Sequence, residues 1–324
     1  MSRQKWILAS LTGAAVLAGS AASVNAQAPA GAPPKAAATA GAKPPAIVNG
    51  EIITKAELDA AVKQAGQSPV TLTEDQRRGQ QMQVMGILID EMLMHQFLAK
   101  NAAPVTPAEV DAREALIAAE LKKENKTLKD LFKEGDQTEA AFRADVGRTL
   151  QWEAYTKAKV SDADVEHYYK ENKDFFDKVM VRASHIVLRL APNATEADRA
   201  KAKEQLTELR DQLMANKIDF AEAAKKYSQC PTAPNGGDVG LIPRKMAVDE
   251  NFARAAFSTP VNGISDVVQT SFGLHLIKVT ERKPGEPSDF SKIKEDVRFF
   301  CVDEMRMSLL NDLRKSAQIE VILP

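Results

Sequence analysis

The chain of 324 residues is 44% hydrophobic and 27% charged, with 43 Lys and Arg against 44 Asp and Glu. That balance is the composition of a globular protein of about two domains, and it excludes collagen, a disulfide scaffold and a long acidic tail. No run of Lys or Arg offers a nucleic-acid surface, and two cysteines and four histidines leave little material for a metal cage.

The chain opens with a short basic segment, Ser2-Arg3-Gln4-Lys5, an apolar stretch from Ile7 to Ala22, and small residues at Val24-Asn25-Ala26. This is the order of a secretory signal, so residues 1–26 are expected to be cleaved. The apolar run is short of the ~20 residues a spanning helix needs, so no stable membrane insertion is expected after cleavage. Residues 27–46 are rich in Ala, Pro and Gly and read as a disordered tether.

Ordered structure is expected from Ile47. Asn49-Gly50 between β-prone pairs is a hairpin signal. Capping boxes at Thr54, Thr73 and Thr106 then open helices, the second running to about Ala99. Helical patterns follow at about 127–134, 138–158 and 161–171. The long helix carries Met82, Met85, Met92 and Met94. These are either core residues, which periodicity favours, or an adaptable client-binding face.

Near Val179 the pattern becomes alternating and β-branched, through Val181, Ser184 and His185 to Leu188. A turn at Pro192-Asn193-Ala194, a helix from Thr195 to about Met214, a short helix at 220–227, a Pro/Gly loop from Cys230 to Gly240, a helix near 250–257 and strands at about 264–270 and 272–281 complete an α+β pattern. After a Pro/Gly linker, apolar residues from Phe290 to Leu313 keep helical spacing, and Ile319 to Ile322 reads as a strand.

The run Phe220 to Gly240, with Gly236-Gly237-Asp238-Val239-Gly240 at its end, resembles the signature of parvulin-type peptidyl-prolyl cis–trans isomerases. Ala183-Ser184-His185-Ile186, the Phe252 to Phe257 helix and Thr270-Ser271-Phe272-Gly273-Leu274-His275 fit the same family in the same order. With helical segments before and after, the whole resembles the exported SurA/PrsA kind of chaperone-isomerase. The resemblance implies an α+β fold: a helical chaperone-like module with a small N-terminal hairpin (47–177), an inserted isomerase domain with a small antiparallel-rich sheet (178–283), and a C-terminal helix and strand (284–324) that return to the helical module. It further implies a periplasmic enzyme without cofactor or metal that assists exported or outer-membrane proteins. Its partners would be unfolded polypeptides containing Xaa–Pro bonds. The rival expectation is a non-catalytic holdase.

Matching the family's pattern residue by residue gives His185, Cys230, Thr270 and His275 as the polar cluster, and Val239, Met246 and Phe252 as the proline pocket. The chemistry explains these types. Rotation about an Xaa–Pro amide meets a barrier of about 18–20 kcal/mol without breaking a covalent bond, so a catalyst must bind the twisted amide best. The histidines serve either proton transfer or a structural pairing across strands. Cys230 reads as a polarizable group, since the reaction needs no nucleophile. A zinc site from His185, Cys230 and His275 lacks a fourth ligand. Gly236-Gly237 reads as turn chemistry, and Arg189 standing nearly alone gives no basis for phosphate-directed selectivity.

Overall fold

The computed structural model describes residues 44–65, 72–135, 137–191 and 194–322. The expected signal peptide, nearly all of the tether and the turn at Pro192-Asn193 lie outside them. The chain divides into two compact units, one running to Ser161 and resuming at Phe299, the other spanning Asp162–Arg298.

In the first unit, β1 (Ala46–Val48) and β2 (Glu51–Ile53) form an antiparallel hairpin whose turn residues Asn49 and Gly50 take φ of 52° and 86°. Only such left-handed angles let a two-residue turn follow the strand twist. A hairpin alone is marginal, and a third strand, β7 (Ile319–Val321), pairs with β1. Asn49 fastens that strand twice: its N–H donates to the Gln318 carbonyl at 2.8 Å and its side-chain oxygen accepts the Gln318 N–H at 2.9 Å.

Helices α1 (Lys55–Gln64), α2 (Glu74–Asn101), α3 (Pro107–Lys123), α4 (Leu128–Glu134) and α5 (Glu139–Lys159) follow. The first four start at a reciprocal capping box, from Thr54 and Glu57 to Thr127 and Asp130, which satisfies two orphan N–H groups at each start. One core gathers Val48, Ile53, Leu58, Met85, Leu88 and Leu93, with Leu313 and Ile319 packed on it. A second joins Ile117, Leu121, Phe142 and Val146. Met85 and Met94 are buried and Met92 packs on the first core, so these methionines fill the interior; Met82 alone of the four stands exposed, at 49%.

The second unit begins with α6 (Asp162–Glu171) and α7 (Lys173–Phe176). Its sheet has the order β4-β3-β6-β5, antiparallel throughout, from β3 (Met180–Arg189), β4 (Asp238–Pro243), β5 (Val268–Thr270) and β6 (Gly273–Lys283). Ile186, Leu274 and Leu276 on one face meet α8 (Glu196–Met214) and α9 (Phe220–Tyr227), while Val181, Ala183, Ile277 and Val279 on the other meet α10 (Glu250–Ser258). The last helix, α11 (Phe290–Ser316), divides between the units. Phe290 meets the Tyr169 ring at 5.1 Å and Lys294 pairs with Asp162 at 2.6 Å, whereas Leu313 joins the hairpin core. Among the described residues no helix is long and apolar enough to cross a membrane.

Two carboxylates in the first unit carry a pH dependence. Burial pushes Glu91 up to about 7 against the pull of Arg148 and Arg306, and pushes Asp145 up to about 6 although Arg148 and Gln137 bond it. A carboxyl raised in the folded state stabilises fully below its unfolded value, and this contribution is lost as pH rises through the folded one. We therefore expect Glu91→Gln to raise the melting temperature of the first unit more at about pH 8 than at about pH 5. Differential scanning calorimetry of the full chain at both pH values checks this; an equal effect at both would contradict the burial of a neutral Glu91.

Candidate active site

Strand periodicity builds the site. Successive strand residues face opposite sides, so His185 shares the α10 face with Val181 and Ala183, and His275 shares it with Ile277 and Val279. His185 sits opposite Ile277 and His275 opposite Val187, which makes the two histidines diagonal neighbours on one face. Their Nδ1 atoms are 3.1 Å apart, with rings stacked at 21° and centroids at 5.3 Å. Phe252, from α10, turns its ring edge-on to both, at 5.5 Å from His185 and 5.7 Å from His275.

A hydrogen-bond chain leads into this pair. The Phe272 N–H donates to Thr270 Oγ1 at 3.1 Å, and Thr270 Oγ1 lies 2.8 Å from His275 Nε2. At that distance one Nδ1 donates to the other, so the two Nδ1 atoms have room for one proton between them. His185 Nε2 is buried without a hydrogen-bond partner. Buried polar atoms are seldom left so, and each one calls for a structural or functional reason.

Burial disfavours the charged form of both rings. His185 and His275 are 8% and 4% exposed. Desolvation lowers the pKa of His185, and desolvation with the facing His185 pushes His275 down to about 4, against a smaller upward pull from Asp249.

Cys230 lies in a loop stapled to β3. The Gln229 N–H donates to the Val187 carbonyl at 2.9 Å, and Ser228 Oγ accepts the Val187 N–H at 3.1 Å. The Thr232 hydroxyl donates to Cys230 Sγ at 3.3 Å, and neither Cys230 nor Cys301 is in a disulfide. Gly237 explains the Gly-Gly pair: it donates no anion cradle but lies on the His185 backbone, where a Cβ would stand 2.2 Å from the His185 carbonyl oxygen. Among the described residues no three His, Cys, Asp or Glu side chains group as metal ligands.

Thus His185, His275, Thr270 and Phe252 are brought together, with Val239 packed on the Phe252 cluster. Met246 is not brought there. It stands 78% exposed at φ +70° in the loop between β4 and α10, and Val248 from the same loop packs on the cluster instead. Phe252 itself is 5% exposed, so most of its ring packs within the cluster. Asp249, which the family pattern does not mark, caps α10 with its side chain at the Asn251 N–H, and its charge acts on His275. Its signal was an Asp just before a helix-forming run.

The neutral pair has a measurable consequence. A histidine whose folded pKa is depressed stabilises the fold above its unfolded value near 6.5, and that stability is lost as pH falls toward the folded one. The second unit should therefore weaken between about pH 6.5 and pH 4, by up to about 1.4 kcal/mol per pH unit for each histidine kept neutral. Denaturant melts across this range, compared with His275→Gln, check it; equal slopes in both proteins would contradict a buried neutral pair.

Residues 185–281 match the rotamase family described as the PpiC-type PPIase domain. A relative named foldase protein PrsA, from a Geobacillus species, is 32% identical over 243 residues, covering 71% of this chain and 74% of that protein. A chaperone SurA from Dechloromonas aromatica is 35% identical over 141 residues, 43% of this chain and 31% of that protein. A solved structure of peptidylprolyl isomerase PrsA from Bacillus anthracis aligns with 70% of this chain and 96% of that chain at 23% identity, with a TM-score of 0.42. The chain belongs to the PrsA family of foldases, and is a parvulin-type peptidyl-prolyl cis–trans isomerase with a chaperone role.

Proposed function

We propose that the α10 face of the sheet holds the prolyl ring, with Phe252 and Val239 as its apolar wall and His185, His275 and Thr270 as a rigid polar floor, Cys230 lying on the adjoining loop. The observation that carries this reading is the unpartnered His185 Nε2 in a buried site beside the Phe252 ring. The Thr270 hydroxyl already accepts the Phe272 N–H, and its own hydrogen has His275 Nε2 as acceptor. His275 then carries its proton on Nδ1 and donates it to His185 Nδ1. The chain ends in an N–H at His185 Nε2.

Such a donor suits the reaction. In a planar amide the nitrogen lone pair is delocalised, whereas twisting localises it on nitrogen. A donor beside the prolyl nitrogen gains a bond only in the twisted state, which is the differential binding that catalysis requires. A donor at the carbonyl oxygen would favour the planar form instead. No proton needs to leave the enzyme, so isomerisation proceeds with both imidazoles neutral.

The clients we infer are exported polypeptides with Xaa–Pro bonds, met unfolded or partly folded, and the compartment is the periplasm. The secretory order of residues 1–26 and the foldase and chaperone relatives support both.

Because Phe252 is buried, replacing it by Ala would create a cavity costing about 3–5 kcal/mol and confuse activity with folding. Phe252→Leu keeps most of the volume, with a cost under about 1.5 kcal/mol. In a protease-free prolyl isomerisation assay we expect Phe252→Leu to lower kcat/KM by about tenfold in a folded protein. Unchanged turnover would remove Phe252 from the site.

A further inference from the structure

The loop between β4 and α10 carries Met246, Val248 and the cap Asp249, and two cations hold it. Arg244 forms a two-pronged ion pair with Glu250 on α10, at 2.9 and 2.7 Å, and lies 6.0 Å from the Phe257 ring centre. Lys245 reaches the other way. Its Nζ donates to the Tyr168 hydroxyl at 2.9 Å and sits over the Tyr168 ring at 5.0 Å and the Phe175 ring at 5.9 Å. Tyr168 is on α6 and Phe175 on α7, before the residues that match the isomerase family begin at His185.

The same segment holds the pocket helix from a second point. Arg282 donates to the Phe257 carbonyl of α10 at 3.0 Å and to Asp174 of α7 at 2.5 Å. The segment is itself anchored within the unit: the Tyr169 hydroxyl donates to the Ser288 carbonyl at 2.8 Å, and Asp177 accepts both the N–H and the hydroxyl of Ser288, at 2.8 and 2.6 Å. Gly285 passes so close to Asp177 that a Cβ there would stand 1.6 Å from its carbonyl oxygen.

We propose that Tyr168 and Lys245 are positioning residues of the isomerase site, through which residues 162–177 set the loop that places Val248 against the Phe252 wall and Asp249 beside His275. This rests on the reading of Phe252 as the proline wall. It extends the working isomerase beyond the family-matched segment, to residues 162–298. Through Val248, which packs on the Phe252 cluster, the clamp acts on how substrate is held. A cation over aromatic rings keeps its strength when Lys is replaced by Arg, and loses it with Met.

The test uses the full chain in the protease-free assay with Lys245→Met, Lys245→Arg, Tyr168→Phe and Phe252→Leu. We expect Lys245→Met to raise KM by about three- to tenfold with kcat within about twofold and an unchanged melting temperature. Lys245→Arg should restore KM, and Tyr168→Phe, which keeps the ring and loses the hydroxyl, should fall between. An unchanged KM in Lys245→Met, while Phe252→Leu impairs turnover, would overturn the clamp and leave the site reading standing. Equal impairment of the Met and Arg variants, or a loss that follows melting temperature, would also overturn it, by showing a role in folding alone. No effect of Phe252→Leu would overturn the site reading and the clamp with it.

Discussion

The contact between His185 Nδ1 and His275 Nδ1, 3.1 Å across the β3–β6 pair, is the constraint around which the isomerase unit is arranged. It exists because both residues fall on the same face by strand parity, and a slip of one residue in either strand would send one ring to the opposite side. Several local devices hold that register. The ladder shifts between Arg182 and Ala183, Gly237 lets the Cys230 loop lie on the His185 backbone, and Gly273, at φ +138°, lets the β5–β6 turn approach within contact of Leu188.

Two imidazolium rings facing each other through Nδ1 would repel and would lack an acceptor between them. The pair is stable with one shared proton, and burial under Phe252 penalises charge further. This separates the site from one that moves protons. In the reading proposed above, its histidines act by shape, dryness and one directed hydrogen bond, because turning an amide breaks no covalent bond.

Much of this arrangement was legible in the sequence. Thr-x-x-Glu/Gln/Asp boxes at Thr54, Thr73, Thr106 and Thr195 start helices because the cap is a local bond between residues three apart. Asn49-Gly50 gave its hairpin for the same local reason. The histidine, threonine and Phe252 positions were legible through the family pattern. What was not legible depends on distant partners. β4 was hidden because Gly240, at φ +76°, and Pro243 weaken its strand signal, and only pairing with β3 makes it a strand. Met246 and Val248 lie two apart in one loop, and the clamps on Arg244 and Lys245 decide which faces the wall. Met85 and Met92 of α2 could have served surface or core until they packed in one cluster with the hairpin and the end of α11. The apolar stripe of α11 likewise has one periodicity and two destinations, Tyr169 for Phe290 and the hairpin core for Leu313.

The most direct test of a neutral pair with a directed proton is nitrogen-15 NMR of the two imidazoles in the full chain near neutral pH. The account predicts two neutral rings, His275 protonated at Nδ1 and His185 at Nε2, with both titrating below the ordinary 6.5 and His275 near 4. An imidazolium at either position near neutral pH, or His185 protonated at Nδ1, would contradict it.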